Sequence, residues 1–476
     1  TTYSYVDEGL EVTETQKNAV DGNNIVTTLD YNVQSIIEKC ILEYNEEKPS
    51  KNTAVVVADP SNGEILGMAS YPTFNLNDPR KLTGMYTDEE IKDMSDEEYR
   101  NNLYSLWTNY CVSESYEPGS TFKPVTVASA LEEGVVKDGD TYVCKGFETV
   151  ADYKLKCHVF STIGSHGSLT VEQALMNSCN PYMIHLALEM GNSRFAYYQS
   201  LFGFGKITGI DLPGEASCEG LLYTADQLGE IELATSAFGQ CYNVTMIQMA
   251  ASFCADINGG YYYKPYTVES ILDQDGNVVE SVKPTLVRQI ISEETSATVR
   301  HALEYAVTNG TVYGVQVADK ENGVKMDGYD FGGKTGTAQK LPRSEDKYVI
   351  SLISAAPMSS PQLVLYVVVD EYEGNDEDGS APVQYLSGRL WYAIKDYIGL
   401  YSELDADVNE YDWQSVSPSD DSMSGESLFT DSEGDDAALP VPPAVAAQEQ
   451  TDAAAENPDE NIIDPEAAIA DPADAN

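Results

Sequence analysis

Basic residues are scarce in this sequence, which limits the partners that the protein can bind. Its 476 residues include 27 Lys and Arg against 78 Asp and Glu, a formal net charge of −51 at pH 7. Nucleic acids and anionic membrane surfaces are bound by clustered positive charge. The composition therefore argues against a nucleic-acid partner and against an anionic membrane surface as a partner.

Long apolar runs are also missing. No stretch approaches the roughly 18 apolar residues of a membrane-spanning helix, and the strongest run covers only residues 363–369. The first residue is Thr, and no basic segment followed by an apolar one marks a signal peptide. We therefore expect a processed or truncated piece of a longer protein, with any membrane anchor outside this sequence.

The eight cysteines do not show the spacing of a common zinc site. They contain no C-x-x-C pair, and the four histidines are scattered. We therefore predict no zinc site, and structural or incidental thiols are the default interpretation. Cys144 and Cys157 nevertheless bracket a possible hairpin, residues 146–156, and we predict a disulfide between them, as persists in an oxidising compartment.

Acidic residues are concentrated at the C-terminus. Residues 401–476 contain 21 Asp and Glu and no Lys or Arg, and they are rich in Ala, Pro, Ser and Asn. Such a segment buries too little apolar surface to offset the entropy of ordering it. We predict a disordered tail, either a solvated spacer or an interaction segment.

Residues 25–400 have the pattern of one globular α+β domain. Helical spacing of apolar residues is found at 33–44 and 386–398. Because strand-like segments occur near both ends, with helical segments between them, we predict one sheet assembled from distant parts of the chain. The strand-like segments are residues 54–59 and 64–66, which flank an Asn-Gly turn, and residues 348–353 and 363–369.

A serine and a lysine lie one helical turn apart in the first of three motifs. Pro118-Gly119 ends one segment, and residues 125–135 predict a helix, so Ser120 and Lys123 would share a face at its N-terminus. A serine hydroxyl needs a base that takes its proton, and lysine is a base only when burial or a nearby cation lowers its pKa. Alone, S-x-x-K is common by chance and is more often a capping serine followed by a surface lysine.

The second motif is Ser178-Cys179-Asn180. It follows a segment that Thr170 and Gln173 can open as a capping box. Pro181 then suits the first turn of another helix. Ser178 and Asn180 are therefore predicted on a connecting loop, where polar side chains can point into a cleft.

The third motif, residues 334–337, lies in a glycine-rich segment. Its Lys-Thr-Gly-Thr sequence favours an extended strand that can pair with a substrate peptide at a sheet edge. Lys334 would lower the pKa of Lys123 and attract a carboxylate. Alone, the segment could equally be a glycine-rich edge strand.

The three motifs in this order resemble the transpeptidase domain of class B penicillin-binding proteins, the division and spore-cortex type. Related motif sets occur in class A β-lactamases. The resemblance extends over residues 25–400 and implies a central antiparallel sheet flanked by helices, the fold shared with serine β-lactamases. Residues 1–24 resemble the connector that follows a membrane helix and pedestal domain, neither of which is present. Further matching stretches are residues 27–34, 59–72, 203–215, 238–240 and 245–260.

The resemblance also implies roles for the motif residues. Ser120 would be the nucleophile and Lys123 its general base. Ser178 would relay a proton, and Lys334 would supply the cation of the third motif. Contacts to the substrate amide and carboxylate would come from Asn180, Thr335, Gly336 and Thr337. The backbone N–H groups of Ser120 and Thr337 would form the oxyanion hole.

The implied function is peptidoglycan D,D-transpeptidation without a metal or cofactor. The serine would attack a stem peptide ending in D-Ala-D-Ala, and an amine would resolve the acyl-enzyme into a crosslink; β-lactams would bind as mimics. The implied partners are a SEDS-type glycan polymerase and other division or elongation proteins. The implied location is the cell membrane, with this domain on the extracytoplasmic side.

Three alternatives stay open: a β-lactamase, a D,D-carboxypeptidase, and a catalytically silent scaffold for wall assembly. The length of the chain and the stretches shared with class B proteins argue against the two other enzymes. A silent scaffold would be expected to lose the motifs, yet all three are intact. Whether the role is in septation, elongation or spore cortex is not fixed by the sequence, nor is the source of the acceptor amine.

Overall fold

The structure is a computed structural model that describes residues 2–6, 12–16, 21–82, 85–319, 323–342, 345–374 and 379–402. The predicted acidic tail lies outside the described residues from position 403 onward. The proposed boundaries of a connector at 1–24 and a domain at 25–400 stay a prediction. Among the described helices, none is long and apolar enough to cross a membrane.

The described residues form twelve α-helices, two 3-10 turns and twenty strands. The helices are α1 (Tyr31–Glu47), α2 (Asp88–Asp93), α3 (Asp96–Trp107), α4 (Tyr110–Ser113), α5 (Lys123–Glu132), α6 (Val171–Met176), α7 (Asn180–Met190), α8 (Asn192–Leu201), α9 (Glu230–Ser236), α10 (Met246–Ile257), α11 (Glu293–Asn309) and α12 (Ala381–Ile394). The 3-10 turns are Gly119–Phe122 and Tyr313–Gln316. The strands are β1 (Thr2–Val6), β2 (Val12–Gln16), β3 (Asn24–Thr27), β4 (Ser50–Ala58), β5 (Ile65–Tyr71), β6 (Ser115–Tyr116), β7 (Thr141–Cys144), β8 (Phe147–Val150), β9 (Tyr153–Lys156), β10 (Gly167–Thr170), β11 (Val244–Thr245), β12 (Tyr261–Tyr263), β13 (Val268–Leu272), β14 (Val278–Ser281), β15 (Leu286–Gln289), β16 (Val317–Asp319), β17 (Val324–Lys325), β18 (Gly332–Gln339), β19 (Tyr348–Ala356) and β20 (Leu363–Tyr372).

Five of these strands form the central sheet, in the order β18-β19-β20-β4-β5, and every neighbouring pair is antiparallel. Val367 on β20 lies opposite Val55 on β4, so segments from the two ends of the domain pair directly. This confirms the prediction of a sheet built from distant parts of the chain. β18, which carries the third motif, lies at one edge of the sheet.

Both faces of the sheet are buried, which explains its nearly continuous apolar strands. Successive side chains of a strand point to opposite faces, and the core is divided accordingly. Val56, Tyr366 and Val368 face a cluster that includes residues of α5, α7 and α10. Val55, Leu365 and Val367 face a second cluster that includes residues of α1 and α12. The result is a three-layer arrangement of helices, sheet and helices, as the resemblance implies.

The predicted elements match the structure closely, apart from the last helix. It begins at Ala381 and ends at Ile394, whereas the sequence predicts residues 386–398. Gly388 therefore lies inside the helix. A Cβ at this position would lie 2.6 Å from the carbonyl oxygen of Val315, so the glycine allows close packing on the Tyr313–Gln316 turn.

Helix α10 is buried along its whole length and contains a carboxyl group in the apolar core. Asp256 is fully buried, and neither of its carboxylate oxygens has a hydrogen-bond partner among the described residues. Burial raises the pKa of the Asp256 carboxyl well above its ordinary value of 3.8. An ionised carboxylate is costly in such a place, so the folded protein holds the proton that the unfolded chain releases.

Asp256→Asn is therefore expected to change how the stability of the protein depends on pH. Between the unfolded and the raised folded pKa, the unfolded state binds fewer protons, so the free energy of unfolding falls as pH rises. The variant should match the parent near pH 4 and be more stable at pH 8, as measured by thermal melts. Exposed Asp226→Asn is the matched control and should follow the parent. Parallel pH curves for Asp256→Asn and the parent would contradict the expectation.

Candidate active site

The first motif lies at the junction of a 3-10 turn and α5. Ser120 is in the turn Gly119–Phe122, and Lys123 is the first residue of the helix. Gly119 has φ +55°, and its N–H donates to the carbonyl of Gly239 at 2.9 Å. Ser120 is half-buried, whereas Lys123 is fully buried. The serine can thus meet a substrate while the lysine lies beneath the surface.

The ammonium group of Lys123 joins the first motif to the second. Its Nζ donates to the Ser178 carbonyl at 2.6 Å, to Ser178 Oγ at 3.0 Å and to Asn180 Oδ1 at 2.6 Å. The structure therefore brings together three residues that the sequence predicts for the site.

Local sequence explains the position of the second motif. Thr170 and Gln173 form the predicted capping box at the start of α6, which lasts only six residues. Ser178 follows in a loop with φ +51°, and Cys179 is the N-cap of α7. Asn180 is the first residue of that helix, so it lies one position beyond the predicted loop. The left-handed conformation of Ser178 is unusual for a residue other than glycine.

The third motif packs directly against the first. A Cβ on Gly119 would lie 2.5 Å from the carbonyl oxygen of Thr337, and one on Gly336 would lie 2.9 Å from that of Pro118. These glycines let strand β18 and the 3-10 turn approach backbone to backbone. Thr337 is the only exposed residue of β18, so it is the strand's point of access for a ligand.

Two buried lysines give the site its electrostatic character. Burial lowers the pKa of Lys123 to about 8, close to the pH at which a general base works best. Lys334 is also fully buried, with its Nζ donating to the Thr335 carbonyl at 2.9 Å. Burial, with repulsion from Lys123 as a smaller cause, lowers the pKa of Lys334 well below its ordinary value. The sequence analysis expected Lys334 to lower the pKa of Lys123, whereas the cause found in the structure is the burial of Lys123 itself.

The predicted Cys144–Cys157 disulfide is wrong, since both thiols are free. The lack of a C-x-x-C pair does not keep the cysteines apart in space. Cys144, Cys157, Cys179 and His166 lie together, each contributed by a different element. A search for C-x-x-C pairs finds only ligands that share one turn, so it misses such a cluster.

A match to a known protein family defines the class of protein to which this chain belongs. Residues 53–386 match the sequence profile of the penicillin binding protein transpeptidase domain. The chain belongs to this family, which confirms the resemblance drawn from the three motifs.

Particular relatives make the relationship more specific. The chain is 36% identical to Stage V sporulation protein D of Bacillus subtilis over 399 residues, which cover 83% of this chain and 56% of that protein. It is 28% identical to the peptidoglycan D,D-transpeptidase FtsI of Escherichia coli over 387 residues, covering 80% of this chain and 57% of that protein. The chain thus spans little more than half the length of these curated relatives.

Solved structures confirm the fold. Penicillin binding protein 3 of Mycobacterium tuberculosis, complexed with aztreonam, aligns with a TM-score of 0.66 at 24% identity, covering 82% of this chain and 83% of that one. The D,D-transpeptidase domain of a peptidoglycan glycosyltransferase from Eggerthella lenta aligns with a TM-score of 0.65 at 24% identity, covering 84% and 96%.

Proposed function

We propose that this chain carries a serine D,D-transpeptidase that crosslinks peptidoglycan stem peptides. The observation that carries the proposal is the buried Lys123 amine, held by Ser178 and Asn180 at the start of the helix that follows the turn of the half-buried Ser120. A nucleophile, a base of lowered pKa and a second hydroxyl are the parts that acyl transfer needs. The named D,D-transpeptidase among the relatives supports the same activity.

In the first step, Ser120 Oγ attacks the carbonyl carbon between the two terminal D-Ala residues. The neutral Lys123 amine takes the hydroxyl proton while the new C–O bond forms. The backbone N–H groups of Ser120 and Thr337 stabilise the oxyanion. The C–N bond then breaks, and the departing D-Ala amine receives a proton from Lys123 by way of Ser178 Oγ, which lies 3.0 Å from Nζ.

Substrate binding is assigned to the edge of the sheet. Strand β18 can add the stem peptide as a further strand, with main-chain hydrogen bonds supplying affinity. The exposed Thr337, together with Thr335 and Gly336, would bind the terminal carboxylate near the amine of Lys334. The Asn180 side chain would contact the substrate amide.

In the second step, an amine of a neighbouring stem peptide attacks the acyl-enzyme and restores Ser120. This step distinguishes a transpeptidase from a carboxypeptidase or a β-lactamase, in which water is the acceptor. For the complete protein we propose a membrane anchor, this domain on the extracytoplasmic side, and a SEDS-type glycan polymerase as partner. The location follows from the substrate, which is assembled outside the membrane, and the anchor and the partner follow from the resemblance to class B penicillin-binding proteins.

Benzylpenicillin tests the proposal. Incubation should add one drug mass to the intact protein, located on the Ser120 peptide and absent in Ser120→Ala. The adduct should persist well beyond the acylation time, because a site built for an amine acceptor activates water poorly. Mass spectrometry of the intact protein and of its peptides measures both features. Exposed Ser61→Ala is the matched control and should behave like the parent.

Each other outcome favours a different function. Rapid return to the unmodified mass, with excess hydrolysed drug, would favour a β-lactamase. A folded protein without any adduct would favour a silent scaffold. A further assay uses a D-Ala-D-Ala stem peptide as substrate and adds an amine acceptor. If D-Ala is released but no crosslinked product forms, a carboxypeptidase is favoured.

A further inference from the structure

Three thiols and one imidazole meet beside the second motif. Their ligand atoms all lie within 4.8 Å of one another. The Sγ atoms of Cys144 and Cys157 lie 3.7 Å and 3.5 Å from Nδ1 of His166. Around a tetrahedral zinc ion, with Zn–S near 2.3 Å and Zn–N near 2.05 Å, neighbouring ligand atoms lie roughly 3.5–3.8 Å apart. The observed distances therefore suit ligands that surround one ion.

We propose that Cys144, Cys157, His166 and Cys179, which we name the Cys3His cluster, bind one Zn²⁺ ion. Three thiolates and one imidazole are a common structural zinc set. The three cysteines are buried and His166 is half-buried, so the ion would be shielded from solvent. Because the protein supplies all four ligands, no position is left for water or substrate. The ion is therefore structural and takes no part in acyl transfer.

The cluster lies where two small sheets meet. Strands β7 and β10 form one two-stranded sheet, and β8 and β9 form another. Two-stranded sheets are marginally stable by themselves. Cys144 ends β7, Cys157 directly follows β9, and His166 directly precedes β10. An ion bound by these residues would tie the two small sheets together and contribute binding energy to folding.

A main-chain contact supports the geometry of the ligands. The Gly146 N–H points at Cys144 Sγ at 3.4 Å, and the Gly146 carbonyl accepts from the Cys157 N–H at 2.7 Å. Outer contacts of this kind orient the ligands of a metal site. A Cβ at Gly146 would lie 1.9 Å from the carbonyl oxygen of Gly164, so a larger residue does not fit.

The fourth ligand connects the cluster to the active site. Cys179 lies between Ser178 and Asn180, and both of these accept hydrogen bonds from Lys123. Zinc held by Cys179 would thus fix the loop in which Ser178 has its left-handed conformation. The ion would act as a positioning element for the second motif.

Metal content tests the proposal without reference to activity. The chain, purified under reducing conditions and equilibrated with zinc, should retain about one zinc per molecule after dialysis. Cys157→Ser should lower the retained zinc at least about tenfold. Cys241→Ser, a half-buried thiol outside the cluster, is the matched control and should keep the full amount. Background zinc in the parent, or equal zinc in Cys157→Ser, would overturn the proposal.

A second measurement needs no variant, so it stands even if Cys157→Ser fails to fold. Zinc is removed with a chelator and replaced with Co²⁺. One equivalent should produce a sulfur-to-cobalt charge-transfer band and the intense visible bands of a tetrahedral site. A cobalt spectrum that lacks the sulfur band would overturn the proposal. So would a disulfide within the cluster in freshly purified protein, found by counting thiols under denaturing conditions.

The positioning role has its own readout. Removing zinc should slow acylation of Ser120 by benzylpenicillin by about tenfold or more, because small displacements of catalytic groups are costly. Adding zinc back should restore the rate. An unchanged rate in the metal-free protein would overturn the positioning role. Failure of the proposed transpeptidase activity would leave the zinc content unaffected, so the two proposals can be separated.

Discussion

Lys123→Ala is expected to remain folded and to acylate with benzylpenicillin about 10²–10⁴-fold more slowly than the parent. The amine is the only basic group that contacts both Ser178 and Asn180 among the described residues. Without it, Ser120 loses the group that we assign as its general base. Stopped-flow or quenched mass spectrometry gives the acylation rate, and thermal melts report folding.

A second variant separates the loss of the base from the loss of packing. Lys123→Met fills a similar buried volume without the amine, so it should be as slow as Lys123→Ala while avoiding a cavity. Both variants also remove the donor from three acceptors on Ser178 and Asn180, so each should lose some stability, and thermal melts measure that loss separately from the acylation rate. Acylation at the parental rate in either variant would show that another group is the base.

Gly239→Ala is expected to lower both stability and acylation. A Cβ at this position would lie 2.0 Å from the carbonyl oxygen of Gly119, in the turn that presents Ser120. Relieving such an overlap costs typically about 1–3 kcal/mol. It must also displace the turn, and a shift of about 1 Å at a catalytic group can slow a reaction by about 100-fold. Thermal melts and penicillin acylation rates measure the two effects.

Gly220→Ala is the matched control for Gly239→Ala. Its φ of +84° is close to the +88° of Gly239, but nothing lies within 4 Å of its added Cβ. Both variants therefore have a similar cost of a left-handed alanine, about 1–2 kcal/mol. Only in Gly239→Ala does the added Cβ contact the turn that carries Ser120. Equal losses in the two variants would mean that the contact with the Ser120 turn is unimportant.

Much of the fold could be predicted because its signals are local. The apolar runs of β4, β19 and β20 and the helical spacing of α1 correspond to elements of the described structure, and the three strands lie in the one sheet that we predict. The capping box at Thr170 likewise depends on residues three positions apart. The bounds of helix α12 were predicted wrongly because Gly388 was interpreted as a feature near the start of the helix. The glycine instead allows the helix to pack against the carbonyl of Val315, which is distant in the sequence.

The sequence predicts the three motifs of the candidate site, but it does not predict the residues that surround them. The meeting of Lys123 with Ser178 and Asn180 follows from a motif order that few families share. The Cys3His cluster has no such order, since its ligands come singly from separate short elements. The burial of Asp256 was equally hidden, because one carboxylate in an apolar helix resembles a surface residue until the helix is packed.

The pairing of β20 with β4 has a consequence for how the protein is made. The chain leaves the ribosome N-terminus first, so β4 and β5 are synthesised long before their partner at Leu363–Tyr372. Contacts between such distant segments form late and slowly. Until then, one edge of β4 is open, and its unpaired backbone N–H and C=O groups are a template for pairing with other chains. Ser120 and strand β18 also cannot meet before nearly the whole domain exists, so a nascent chain carries no partly active site.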